Sequence, residues 1–156
     1  MAELLHLSLE GIPKWQQWTE DMIARAQDMR PVFEVMYEAW IVEVQEQFAT
    51  EGAYYGDAWA PLNEKYAERK RRQWGLMPIL IASGAMLKSF LGGHNHVKVI
   101  EADHAAFGST DEKARYHQEG TEHMPARPIV KASDALKQVG AHSAVLYILT
   151  GDAGGH

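Results

Sequence analysis

The chain has 156 residues, 46% of them hydrophobic, which suffices for one compact domain with a buried core. Its 21 acidic against 15 basic residues leave a formal charge of -6, which disfavours attraction of the whole molecule to nucleic acid or to an anionic membrane. It has no cysteine, so disulfides, thiolate nucleophiles and sulfur-built metal sites are excluded, and it shows neither a basic-then-apolar leader nor an apolar run long enough to span a membrane.

Leu4-Leu5-His6-Leu7-Ser8-Leu9 alternates in the manner of a short strand, which Gly11 and Pro13 end. Trp15, Trp18, Met22, Ala26 and Met29 then recur at steps of three and four, one face of an amphipathic helix with Glu20, Asp21, Arg25 and Gln27 turned away. Pro31 disfavours helical geometry at Arg30, so the helix should kink or restart there. The set Phe33, Met36, Tyr37, Trp40, Val44 and Phe48 predicts a second helix, closed at Thr50-Glu51-Gly52 by the glycine. Ala53 to Pro61 has no helical period and reads as a loop. Asn63 can cap a short charged helix ending near Gln73, and Ser83 another with Leu87, Phe90 and Leu91 inward, stopped by Gly92-Gly93. Val97 and Val99 alternate with polar neighbours, and a turn at Ala102-Asp103-His104 leads to a second strand around Ala106 to Gly108, completing a hairpin. After an irregular stretch, Ser133 or Asp134 caps a last helix bearing Leu136, Val139, Leu146 and Leu149 and closed by Gly151; a strand over Ala144 to Thr150 is the alternative. The expected class is α+β, with a long N-terminal helical region, a small antiparallel sheet with a hairpin and a C-terminal helix. One domain spans residues 1–150, and 151–156 form a disordered tail.

Four pieces of the chain, in order, resemble the phage virion morphogenesis family, which includes Mu-like G proteins and P2-like tail completion proteins. They are Gly56-Asp57-Ala58-Trp59-Ala60-Pro61-Leu62 with Tyr66 and Lys70 behind it; Ile79-Leu80-Ile81-Ala82-Ser83-Gly84-Ala85-Met86-Leu87-Lys88-Ser89; Tyr116-His117-Gln118-Glu119-Gly120; and Met124-Pro125-Ala126-Arg127-Pro128-Ile129-Val130. Two departures stand out: Tyr116 and His117 are adjacent where the family usually has residues between them, and Ile129 replaces its phenylalanine. The resemblance covers roughly residues 31–140. It implies a structural protein of the head-tail junction in the virion neck or tail end, assembled in the host cytoplasm. Its partners would be other copies in a cyclic ring, with a hexamer favoured, and the adjoining head-completion and tail-tube proteins. No catalytic residue, cofactor or metal is implied.

Within these pieces, Trp59 with Pro61 and Leu62 can anchor a rigid loop on the core or serve as a partner contact, and Gly84 and Leu87 serve as further structural anchors. Pro125 and Pro128 stiffen an extended segment and aim Arg127, whose planar fork suits a carboxylate on a neighbouring subunit or within the chain; His117 and Gln118 join this contact set.

His94-Asn95-His96, with His104, His117 and His123, raises a metal-dependent hydrolase as a rival, since strand residues two apart share a face. A solvated loop is the simpler reading. Lys65, Arg69, Lys70, Arg71 and Arg72 beside Tyr66 and Trp74 raise a DNA-binding neck accessory, though Glu64 and Glu68 are spaced for intrahelical pairs, which favours a solvated face and at most nonspecific DNA contact. No nucleophile elbow or phosphate-binding glycine loop is present, and Ser83 and Ser109 have no evident base, so an enzyme is not expected.

Overall fold

The computed structural model describes residues 12–155, so the strand expected over Leu4 to Leu9 lies outside the described residues. Helix α1 spans Ile12–Ala26 and α2 spans Arg30–Ala49. The break between them follows from Pro31, which falls in the first turn of α2, where its missing amide sacrifices no helical hydrogen bond. A 3-10 turn at Ala53–Tyr55 precedes α3, Glu64–Trp74, whose cap Asn63 accepts from the Lys65 amide at 3.1 Å. Then come α4, Ala85–Phe90; strands β1, His96–Ile100, and β2, Ala105–Ser109; α5, Glu112–Glu119; and α6, Asp134–Thr150. The strands form an antiparallel hairpin in which Val97 faces Gly108 and Val99 faces Ala106. Ser133 caps α6 through the Leu136 amide at 2.9 Å, and the left-handed Gly151 closes it. The molecule is α+β, and Ala144 to Thr150 is helix.

Helix α2 is the centre of the fold because two adjacent faces of it are covered. Trp40, Val44 and Phe48 lie in the core with Trp59, Phe90, Ala114 and Ile129, gathering the hairpin, α4, α5 and the segment after it. Rings meet at centroid distances of 5.7 Å for Trp40 and Phe107 and 5.5 Å for Phe48 and Trp59, the spacing of tilted and edge-to-face aromatic pairs. The neighbouring face carries Met36, which fills the space left by Gly140 of α6, then Glu43 and Gln47. Glu43 is buried and accepts from the Tyr55 hydroxyl at 3.2 Å and from the Ser133 hydroxyl, fastening α2 to the 3-10 turn and to the start of α6.

Four local expectations are corrected. Trp15 and Trp18 do not face the core: they are 66% and 41% exposed, and every residue from Lys14 to Glu20 is exposed. Their periodicity has no covering surface among the described residues, because α1 packs on α6 through its second half, where Arg25 donates to the Ile148 carbonyl at 3.0 Å. The stretch read as irregular contains α5, a charged helix with a single buried residue, Ala114, started by the Asp111 cap on the Lys113 amide. The cap position of α4 is Gly84, not Ser83; Gly84 takes the left-handed conformation while the Ser83 hydroxyl accepts from the Ala85 amide at 3.3 Å. Finally, the residues after Gly151 turn back on the body, with Ala153 buried and Gly155 against Val35, because the left-handed glycine reverses the chain.

Candidate functional site

The four sequence pieces singled out above come together around one groove of about 770 Å³. Pro61, Leu62 and Tyr66 form one wall at the start of α3. Leu80, Ile81, Gly84 and Met86 form the second, and His117, Met124, Pro125 and Arg127 the third. Asp111, Lys113 and His123 stand among the remaining lining residues.

Arg127 is 4% exposed, and its direction corrects the expectation of an outward fork. Its Nε donates to the Ala60 carbonyl at 2.9 Å and its Nη2 to the Pro61 carbonyl at 3.1 Å, so its described partners are backbone oxygens of the Trp59 loop. Burial lowers its pKa from the ordinary guanidinium value, yet such a group stays charged. Lys70, read from the sequence as part of an exposed basic cluster, is also buried, and its Nζ donates to the carbonyls of Met77 and Pro78. Burial lowers its pKa as well. Together with Glu51, which accepts from the Ile79 amide, Lys70 holds the 75–84 loop in a shape where Leu80 sits at φ 64, a conformation that a bulky side chain adopts only when its surroundings impose it. That shape presents Leu80 and Ile81 to the groove.

The third wall is fixed by amide side chains. Gln118 accepts from the amides of Ile129 and Val130 at 2.8 and 3.1 Å and donates to the Val130 carbonyl at 2.9 Å, standing in for a neighbouring strand. The Pro128 carbonyl accepts from both Gln47 Nε2, at 2.8 Å, and Trp59 Nε1, at 2.9 Å. Trp59 is buried, Pro61, Pro125 and Pro128 are exposed, and Leu62, Gly84, Leu87, His117 and Gln118 lie between these extremes. Burial first, then the nearby Arg127 charge, lowers the pKa of His117, and its buried Nδ1 has no partner among the described residues.

Sequence reasoning missed Glu43, Gln47 and Glu51 as parts of this machinery, and it picked out Lys70 by resemblance without its inward turn. Glu43 and Gln47 are four apart beside the apolar stripe of α2, a spacing that marks polar groups turned inward; Lys70 carries no such mark, being one cation among five neighbours. The other histidines do not converge. His96 Nε2 pairs with the Tyr37 hydroxyl at 3.0 Å, His104 pairs with Asp103, and among the described residues no three His, Asp or Glu come together as a metal site. On α3, Arg69 lies over Tyr66 and Arg72 faces Glu68 at 3.9 Å, and both remain exposed together with Lys65 and Arg71.

Side-chain amides and buried cations thus shape the groove from beneath. The chain belongs to the phage virion morphogenesis family, whose model matches residues 12–142. No curated protein and no solved structure matches it. Its role therefore lies in building the phage virion, and no helix among the described residues is long and apolar enough to cross a membrane.

Proposed function

We propose that the protein is a ring-forming subunit of the head-tail junction, acting in tail completion or as a neck subunit, with hexameric symmetry and contacts to the adjoining head-completion and tail-tube proteins. The observation that supports this reading is the convergence of the four family-like pieces on one groove, combined with the uncovered first half of α1. A groove and an exposed apolar helix face on the same chain are the two halves of a head-to-tail contact, and such contacts close into rings when the rotation between copies permits. In the ring, Pro125 and His117 belong to the groove's outer wall and the exposed Pro128 stands beside it, while Arg127 and Gln118 hold that wall from beneath. The protein acts through contacts and has no reaction to perform.

The test is a map of the virion with this subunit located, together with electron microscopy of lysates from phage lacking its gene. Several copies in cyclic symmetry at the head-tail junction, and separate heads and tails in the deletion lysate, are expected. One asymmetric copy, or joined and infectious particles without the gene, would end the proposal.

A further inference from the structure

The groove has a chemical character at odds with the rest of the molecule. Lys70, Lys113 and Arg127 line it against a single carboxylate, Asp111, in a chain whose formal charge is -6. The two buried cations donate to carbonyl oxygens and make no ion pair among the described residues; the Glu51 carboxylate acts on Lys70, and none acts on Arg127. Between them stand the apolar Leu62, Leu80, Ile81, Met86 and Met124, beside Asn63, Ser83, His117 and His123. An occupant should therefore be an extended peptide rich in aliphatic side chains and carrying acidic groups, without basic ones.

This chain contains such a segment. Residues 1–11 include Leu4, Leu5, Leu7 and Leu9, together with Glu3 and Glu10, and no lysine or arginine. The ring reading assigns them to another copy's groove. Helix α1 is rooted beside the first turn of α2, where the Met29 amide donates to the Ala102 carbonyl, whereas the groove floor lies at the far end of α2, where Trp59 packs on Phe48. Those ends are about 30 Å apart for a 20-residue helix. From its root α1 extends about 22 Å, at 15 residues, and Lys14 to Glu20 are exposed.

We infer that the Glu3–Glu10 segment of one copy docks in the Leu62–Leu80–Arg127 groove of the next, its leucines against the apolar lining and its glutamates toward Lys113 and the buried cations. The exposed Trp15 and Trp18, packed edge to face at 5.5 Å, then lie at the root of the arm and are covered by the same neighbour. The inference rests on the ring reading, and it supplies the contact that links successive copies.

A fluorescently labelled peptide of residues 2–11 is titrated with the full-length protein and followed by anisotropy. Saturable binding that weakens with salt is expected. Lys113→Glu should weaken it about tenfold, and the same variant should prefer a peptide carrying Glu3→Lys and Glu10→Lys. Ala85→Trp, at an exposed position of the groove mouth, should abolish binding while the melting temperature stays unchanged. Absence of saturable binding up to about 1 mM, including absence caused by each chain filling its own groove, overturns the inference, as does binding indifferent to Ala85→Trp. A cyclic ring in the virion without peptide binding would sink this inference alone, whereas one asymmetric copy would sink both readings, since no neighbour would then offer its arm.

Discussion

At the scale of single residues, the groove depends on side chains whose polar ends are committed inward. Trp59 combines a buried ring with an indole donor on the Pro128 carbonyl. Trp59→Ala should cost about 3 to 5 kcal/mol through the cavity it leaves, and Trp59→Phe about 1 kcal/mol through the lost hydrogen bond, both read by denaturant unfolding. A loss of assembly at unchanged stability would mean that the ring's role is external. Arg127→Met should destabilise the isolated subunit by about 2 to 3 kcal/mol, because the Ala60 and Pro61 carbonyls lose a charged donor. An unaltered melting curve would return Arg127 to a purely intersubunit role. His117 has a folded pKa below the imidazole's ordinary value, so around pH 6 the unfolded chain binds more protons than the folded one. Its contribution to stability is complete above the unfolded pKa of about 6.5 and is lost as pH falls through the folded value. The ring is half-buried, so the effect is modest. The drop in melting temperature between about pH 7.5 and about pH 5.5 should be smaller in His117→Gln than in the parent protein, and an NMR titration midpoint of His117 at or above 6.5 would contradict the assignment.

At the scale of elements, the Gln118 side chain replaces a strand that the small hairpin does not provide. Gln118→Ala leaves the Ile129 and Val130 amides and the Val130 carbonyl without that partner, which should cost about 1 to 3 kcal/mol and speed amide exchange at residues 129 and 130. Unchanged exchange there would place the ordering of the segment elsewhere. Elements with a long apolar period were legible in the sequence: α2 and α6 combine such a period with clear end signals, and β1 with β2 alternates about a turn. Helix α5 was not legible, because one buried alanine makes no period and only the Asp111 cap announces it. The Trp15–Trp18 face was legible as amphipathic, but period alone does not say whether the covering surface belongs to the same chain. The pieces that line the groove stood out by resemblance, whereas the inward turn of Lys70 and Arg127 depends on carbonyls far along the chain or in an irregular loop, which no local pattern announces.

At the scale of the whole molecule, the fold keeps its rigid contacts at one end of α2 and an uncovered helix at the other. Removing the exposed indoles by Trp15→Ser with Trp18→Ser should leave the melting temperature within about 1 °C, as surface substitutions do, while lowering incorporation into virions; equal incorporation would free α1 from any part in assembly. The floor of the groove has a kinetic consequence too. The bonds from Trp59, Gln47 and Arg127 that build it join positions 69, 81 and 66–67 residues apart. Closing loops of that length carries an entropic cost that only a nearly complete core repays, so these bonds belong to the last steps of folding. A chain still emerging, or only partly collapsed, has no finished groove. On the proposed linkage, order of folding becomes order of construction: a subunit whose distant loops are still open offers no seat to a neighbour and cannot yet enter the growing particle.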